Sequence, residues 1–461
     1  MENSEEQRIH IFSEGQSFKL YEGSMLDMFD VIEPNSIDAI VTDPPYELGF
    51  MSKSWDSSGI AFQKETWEKC LKVLKPGGYL LAFGGSRTFH RIACAIEDAG
   101  FEIRDTIMYL YGTGFPKSMD ISKSLDKHFG FQGEKIGERK FGKTSTGQSA
   151  GWHNNNVAKT GKQDIFAPAT DLAKRWQGFG TALKPAYEPV IVARKPCEGS
   201  CIDNVLKYGV GGINIDECRV PMDQSDIDMI NAKSSKNPTD NYNQNESKKY
   251  GDYALNIATP ANEQGRFPSN VILTYDETDF DEVCGGMPDS KGCSTQHVYT
   301  DSPKYGGNSL LSSSTPRFNF QLGYNDNGSA ARYFYCAKAS KRDRDEGLPE
   351  GKHNIHPTVK NTMLMQYLIR LVTPKGGTIL DPFNGSGSTG KAAMYENKDR
   401  NAGYKYIGIE LTPEYLPISD ARIRYAIGDT TPVEYKTPTN PPTLKKPSSG
   451  FTQISLFDLP E

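Results

Sequence analysis

Residues 378–390 read TILDPFNGSGSTG. A short apolar run stops on Asp381 and Pro382, turns through closely spaced glycines and runs on into helix-compatible sequence to about residue 398. A second apolar run, YIGIEL, follows at 406–411. Upstream, Met363, Leu364, Tyr367, Leu368, Leu371 and Val372 recur at helical spacing, and TPKGG at 373–377 ends that helix. Helix, buried strand, tight loop, helix and strand are the parts of a parallel α/β unit.

The same punctuation occurs near the N-terminus. Residues 15–23 suit a short strand. Ile37 to Val41 form a run with both faces set for burial. Phe62, Trp67, Cys70, Leu71 and Leu74 predict a helix over 61–74, stopped by KPGG at 75–78. The strand YLLAF follows at 79–83, then a helix over 87–99 and a strand over 102–111. The α/β signal therefore comes in two blocks, about 15–195 and 355–425. Between them, 198–345 is rich in Asn, Ser, Asp, Tyr and Gly and has little periodicity. It reads as an inserted domain or as long ordered loops.

Ligands of open parallel sheets bind beyond the carboxyl ends of the strands. Two unusual loops stand there. In Asp381-Pro382-Phe383-Asn384-Gly385-Ser386-Gly387 the glycines allow a tight turn, and the next helix offers free N–H groups to an anion. Glu410, ending the following strand, suits the two hydroxyls of a ribose, so a nucleoside-containing cofactor is expected. The other loop is Asp43-Pro44-Pro45-Tyr46. Its prolines remove two donors and stiffen the chain. Asp43 and the Pro44 carbonyl become two rigid acceptors for the hydrogens of a planar amine, and Tyr46 a face on which a base could stack. The alternatives are a surface acid or helix cap for Glu410 and a capped proline turn for DPPY.

The 461 residues predict two or three domains and carry a formal net charge of −6. That charge argues weakly against nucleic acid, although a local basic face can still hold it. No apolar run is long enough for a bilayer, and MENSEEQRIH is no secretory signal. A cytoplasmic protein of a bacterium or its virus is expected. The eight cysteines, at 70, 94, 197, 201, 218, 284, 293 and 336, read as reduced thiols. A zinc site begun by Cys197 and Cys201 and completed from Cys218, Cys284 or Cys293 is the alternative, and no metal is expected. Residues 131–170 hold Lys135, Arg139, Lys140, Lys143, Lys159 and Lys162. They read as a solvated loop or as a mobile basic flap over a polyanion. Past about 430, TPTNPPTLKKPSSG is a linker.

These motifs resemble those of the amino-group DNA methyltransferases that use S-adenosylmethionine. DPPY resembles their catalytic motif, DPFNGSGSTG their cofactor loop, and NIHPTVKNTMLMQYLI, with His356, Pro357 and Thr358, the segment preceding it. ALKPAYEPVIVARKP resembles the last strand of the catalytic half, and the motif order is that of the permuted β group. LGFMSKSWD and KYGVGGINIDECRV resemble stretches of phage and prophage methylases. Two departures stand out: Asn361 replaces a proline, for which a small stability cost is expected, and Ser24 replaces an aspartate that would meet the adenine edge.

The resemblance implies a Rossmann-like methyltransferase fold with a mixed seven-stranded sheet and an inserted target-recognition region. It implies a catalytic half over 1–197, the insert over 198–345, a cofactor half over 346–430 and a flexible tail over 431–461. Asp43, Pro44, Pro45 and Tyr46 would be catalytic. Ser24, Thr42, Thr358, Asp381, Pro382, Phe383, Gly385, Gly387 and Glu410 would hold S-adenosylmethionine. The implied reaction is methylation of adenine N6 in double-stranded DNA after base flipping, within restriction-modification. Cytosine N4 and a catalytically idle DNA-binding module are the alternatives. DNA contacts are expected from Lys140 and Lys143, and from Lys338, Lys341, Arg342 and Arg344 in RYFYCAKASKRDR, which also reads as a charged helix face. A homodimer is among the expected partners. Gln453, Ile454, Ser455, Leu456 and Phe457 resemble the peptide that binds the bacterial sliding clamp, with packing back onto the protein as the alternative.

Overall fold

The strand Ile37–Thr42 lies in the middle of a sheet, and each of its six residues is buried. Ala39 and Val41 face one core, and Ile37 and Ile40 face the other. This two-sided burial explains the largely apolar run. Asp38 interrupts the run without a penalty. Its carboxylate meets Lys75 Nζ at 2.6 Å and accepts the Thr378 N–H at 2.7 Å, tying three neighbouring segments together.

The computed structural model describes residues 9–49, 54–111, 118–140, 162–234, 262, 264–276, 334–339 and 341–429. Its strands are β1 (His10–Gly15), β2 (Phe18–Glu22), β3 (Ile37–Thr42), β4 (Leu74–Phe83), β5 (Glu102–Tyr111), β6 (Lys135–Lys140), β7 (Lys162–Phe166), β8 (Tyr187–Arg194), β9 (Val271–Asp276), β10 (Tyr335–Ala339), β11 (Thr378–Asp381) and β12 (Lys405–Glu410). Among the described residues ten strands form one sheet, in the order β1-β2-β12-β11-β3-β4-β8-β5-β9-β10, and β6 pairs with β7 alone.

The expected seven-stranded sheet needs correction to ten. The seven contiguous strands from β2 to β5 contain one antiparallel member, β8. A hairpin adds β1 to one edge, and β9 and β10 extend the other in parallel. Those last two strands come from 198–345, where polar composition hid five-to-six-residue segments, β9 pairing with β5 and β10 with β9. The single strand expected at 15–23 is likewise half of the β1–β2 hairpin. β4 begins at Leu74, earlier than YLLAF, because Leu74 already pairs with Ile37; the register then shifts across Gly77, at φ +77°, before pairing resumes at Tyr79.

Helices cover both faces. Lys64–Val73 and Phe89–Asp98 pack on one side, and Thr362–Val372, Ser388–Arg400 and Leu416–Ile427 on the other. Arg370 and the buried Glu396 join two of the latter at 2.6 Å. Asn361, the unexpected residue, is the cap of Thr362–Val372 and accepts the Leu364 N–H at 3.1 Å. The small cost expected from the missing proline is offset by this bond. Because β11 pairs directly with β3, Ile379 opposite Ala39 and Leu380 opposite Ile40, the two loops leave the same edge of the sheet side by side.

Candidate active site

The loop after β11 is held from several directions. Asp381 is buried and accepts from Thr42 Oγ1 and Thr389 Oγ1, each at 2.6 Å, and from the Phe383 N–H at 3.1 Å. Burial pushes its pKa up to about 6 against these donors. Asn384 accepts from Tyr406 Oη at 2.6 Å and donates to Ser419 Oγ at 2.9 Å, stapling the loop to β12 and to Leu416–Ile427. From behind, the fully buried Arg422 donates to the Ser386 carbonyl at 2.7 Å. Gly387 caps Ser388–Arg400 in the left-handed region, at φ +75°, and a Cβ there would run into Ser419.

Gly385, at φ +52°, donates its N–H to Glu410 Oε2 at 2.6 Å, and Thr412 N–H reaches Oε1 at 2.7 Å. Burial pushes Glu410 up to about 7. Each carboxylate oxygen has capacity for a further donor. The side chain lines a cleft of about 970 Å³, together with Ser24, Thr358, Asp381, Pro382, Phe383 and Gly385.

Asp43, Pro44, Pro45 and Tyr46 line that same cleft. Asp43 Oδ1 is buried and, among the described residues, has no hydrogen-bond partner. Lys360 Nζ lies 3.0 Å from it, close enough to pair charges but out of line for a hydrogen bond. No described residue donates to the Pro44 carbonyl. Burial pushes the Asp43 pKa up, Lys360 opposes this and Glu188 adds to it. Tyr46 is fixed by its hydroxyl, which donates to Glu188 Oε2 at 3.0 Å and accepts from Lys360 at 2.9 Å. Its backbone carbonyl takes Thr88 Oγ1 at 2.8 Å.

Lys360 and Glu188 were not among the residues singled out from sequence, although both sit in the quoted motif segments. Their signal is in the pattern: Glu188 stands beside the apolar run PVIVA, and Lys360 lies two residues before an apolar helix. Nζ and Oε2 meet at 2.8 Å, and the ammonium lies 4.7 Å from the centre of the Phe83 ring. Burial alone would lower the lysine pKa, but Asp43 and Glu188 outweigh it and raise it.

A sequence profile described as DNA methylase, of the N6/N4 type, matches residues 37–421. The chain belongs to the N6/N4 DNA methylase family. This is a family of S-adenosylmethionine-dependent enzymes. The type II methyltransferase M2.LlaDCHI of Lactococcus lactis subsp. cremoris is 40% identical over 228 residues, covering 44% of this chain and 81% of that protein. The type II methyltransferase M.HpaI of Haemophilus parainfluenzae is 35% identical over 101 residues, covering 21% of this chain; the match spans about a third of that relative's length, 32%. Among solved structures, the cytosine-N4-specific PvuII DNA methyltransferase shares 13% identity over 88% of this chain and 86% of its own, at a TM-score of 0.38.

The other candidate residues of this family member fall into groups. Thr42 and Gly387 are not at the cleft surface; they hold Asp381 and the helix start. Ser24 caps the short helix Met25–Asp30, accepting the Leu26 N–H at 3.1 Å, and also lines the cleft. Arg344 donates to the carbonyls of Asn354 (2.9 Å) and His356 (2.6 Å), clamping the segment that carries Thr358. Arg342 lies 3.8 Å from Glu346, and its side chain is 80% exposed. Asp343 of the same run pairs with the fully buried Lys391 at 2.7 Å. Lys140 ends β6, Lys338 lies in β10, and Lys341 opens the helix Lys341–Asp345. Lys143, Lys159, Cys284, Cys293 and the tail peptide Gln453–Phe457 lie outside the described residues. Among those described, no group of three or more His, Cys, Asp or Glu is placed to hold a metal, and no helix is long and apolar enough to cross a membrane.

Proposed function

We propose that the protein transfers a methyl group from S-adenosylmethionine to the exocyclic nitrogen of a base in DNA, adenine N6 in the first instance. The observation that carries this reading is the shared cleft. Asp43, whose Oδ1 has no hydrogen-bond partner among the described residues, and Pro44 line the same space as Phe383, Gly385 and Glu410.

The cleft's residues suit the cofactor. Glu410 would take the ribose hydroxyls, Phe383 the adenine face, and the amide groups at the start of the helix Ser388–Arg400 the carboxylate. When bound, the cofactor supplies an electrophilic methyl on a sulfonium. Asp43 and the Pro44 carbonyl would accept the two hydrogens of the target amine and aim its lone pair. An exocyclic amine is a weak nucleophile because that pair is shared with the ring, so alignment and charge placement provide most of the rate. Reaching the cleft requires the base to leave the duplex, at a cost of a few kcal/mol. Stacking on Tyr46 would offset about 1–3 kcal/mol of it.

Adenine is favoured over cytosine N4 by the acid at position 43, since relatives acting on cytosine more often carry serine there. The catalytic strand precedes the cofactor strand in the chain, which supports the permuted β group. Region 198–345 would read the target sequence, with the halves on either side forming one methyltransferase domain. The type II methyltransferases among the relatives support a sequence-specific modification role.

The test is sequencing that reports modified bases in DNA from cells expressing the protein, with Asp43→Ala alongside. N6-methyladenine in one sequence context, absent with Asp43→Ala, is expected. N4-methylcytosine would select the alternative, and no base modification would leave only an idle DNA-binding module.

A further inference from the structure

Lys360 is surrounded by groups of the catalytic loop and its neighbours. Its side chain is 10% exposed, and its ammonium lies 3.0 Å from Asp43 Oδ1, 2.8 Å from Glu188 Oε2 and 2.9 Å from Tyr46 Oη. The three contacts differ in kind. Those to Glu188 and Tyr46 are hydrogen bonds, and the Tyr46 hydroxyl in turn donates to Glu188. The contact with Asp43 is charge without a hydrogen bond. The ammonium therefore neutralises Asp43 while leaving its lone pair to accept another N–H.

We propose that Lys360 is a positioning residue of the reaction: anchored by Glu188 and Tyr46, its charge keeps Asp43 an ionised, unengaged acceptor facing the cleft. The proposal rests on the function put forward above and names what makes Asp43 competent for it. A carboxylic acid buried here without a counter-ion would take up a proton, and a protonated Asp43 offers its amine-facing oxygen as a poorer acceptor. Glu188 pushes in that same direction, so the ammonium must balance two acids at once. The other titratable groups facing the trio are Tyr46 on the loop, Tyr109 and Tyr111 on β5, and Asp381 at the end of β11. None of them carries positive charge. Lys360 is the main group opposing protonation of Asp43, with a smaller contribution from the Tyr46 hydroxyl.

The experiment compares the native protein with K360M, K360R and the double variant K360M/E188Q. Methyl transfer from labelled S-adenosylmethionine to plasmid DNA is followed from pH 5.5 to 9, and thermal unfolding of the cofactor-free proteins from pH 5 to 8. K360M is expected to lose about tenfold or more in kcat/KM at pH 6 and to recover much of it by pH 9, its acid limb displaced upward. K360R, which keeps the charge, holds the limb where the native enzyme has it. Without cofactor, the Tm gap between native and K360M widens from pH 5 to pH 8, because the buried Asp43 then ionises with no counter-ion. K360M/E188Q narrows the gap at pH 8. A K360M profile that is merely scaled down, with a Tm gap independent of pH, overturns the proposal. If the native protein methylates no DNA, the proposed function falls instead, and the unfolding series still decides whether Lys360 balances the two acids.

Discussion

The glycine loop and the double-proline loop leave neighbouring strands and face one cleft, yet they are built on opposite principles. In the glycine loop nearly every polar group has a partner. Asp381 has three donors, Glu410 two, and Asn384 and Arg422 bind the loop from the side and from behind. In the proline loop the central acceptors are left open. Asp43 Oδ1 is buried without a hydrogen bond, at a desolvation cost that a packed core would avoid. A binding surface must be preformed, so its bonds are made internally. A reacting surface must keep capacity for its substrate, and stiffness comes there from covalent geometry, the two prolines, rather than from hydrogen bonds.

The contrast is broken most sharply by a matched pair of substitutions. Asp43→Asn should lower methyl transfer by about a thousandfold while leaving unfolding free energy within about 1 kcal/mol of native, since no hydrogen bond at Oδ1 is lost. Asp381→Asn should cost about 1–3 kcal/mol of stability and weaken cofactor binding, because one of the two threonine hydroxyls loses its acceptor. Denaturant unfolding and calorimetric titration of S-adenosylmethionine check both. Equal destabilisation by the two would erase the distinction between the loops.

Glu410 sharpens the comparison through pH. Its pKa is raised by burial to about 7 from an ordinary 4.5. A carboxyl raised in the folded state gives its full stabilisation below the unfolded value and loses it as pH climbs through the folded one. Cofactor-free native protein should therefore lose roughly 3 kcal/mol between about pH 4.5 and 7.5 that Glu410→Gln does not lose. Unfolding curves of the two proteins across that window give the difference directly.

Smaller effects test how tightly the glycine loop is packed. Gly387→Ala should cost about 1–2 kcal/mol, combining the left-handed backbone with the approach of Ser419. Asn361→Ala, which removes the cap of the helix that starts just after Lys360, should cost about 1 kcal/mol. Thermal melts rank the two, and a reversed order would mean that the loop yields more readily than its bonding implies.

Local chemistry explains which parts were legible beforehand. Asp43, the two prolines, Asp381, the glycines and Glu410 are visible in sequence because their types are poor choices for strands unless a strand is ending at a site. The alternation of apolar runs likewise marks β3, β4, β11 and β12, since each buries most of its residues. Nothing local marks β9 and β10: β9 takes its pairing from β5, and β10 from β9. Arg344 and Asp343 looked like part of a charged surface, yet they serve as a clamp and as the partner of a buried lysine, because charge type does not tell where a partner will be. Lys360 and Glu188 are 172 positions apart, and their roles exist only once β8 and the segment before Thr362–Val372 converge on Asp43. Sequence specifies what each residue prefers locally. Which charges share a buried space, and which acceptor is left open there, follows from long-range packing, where the energy of a charge depends on its neighbours.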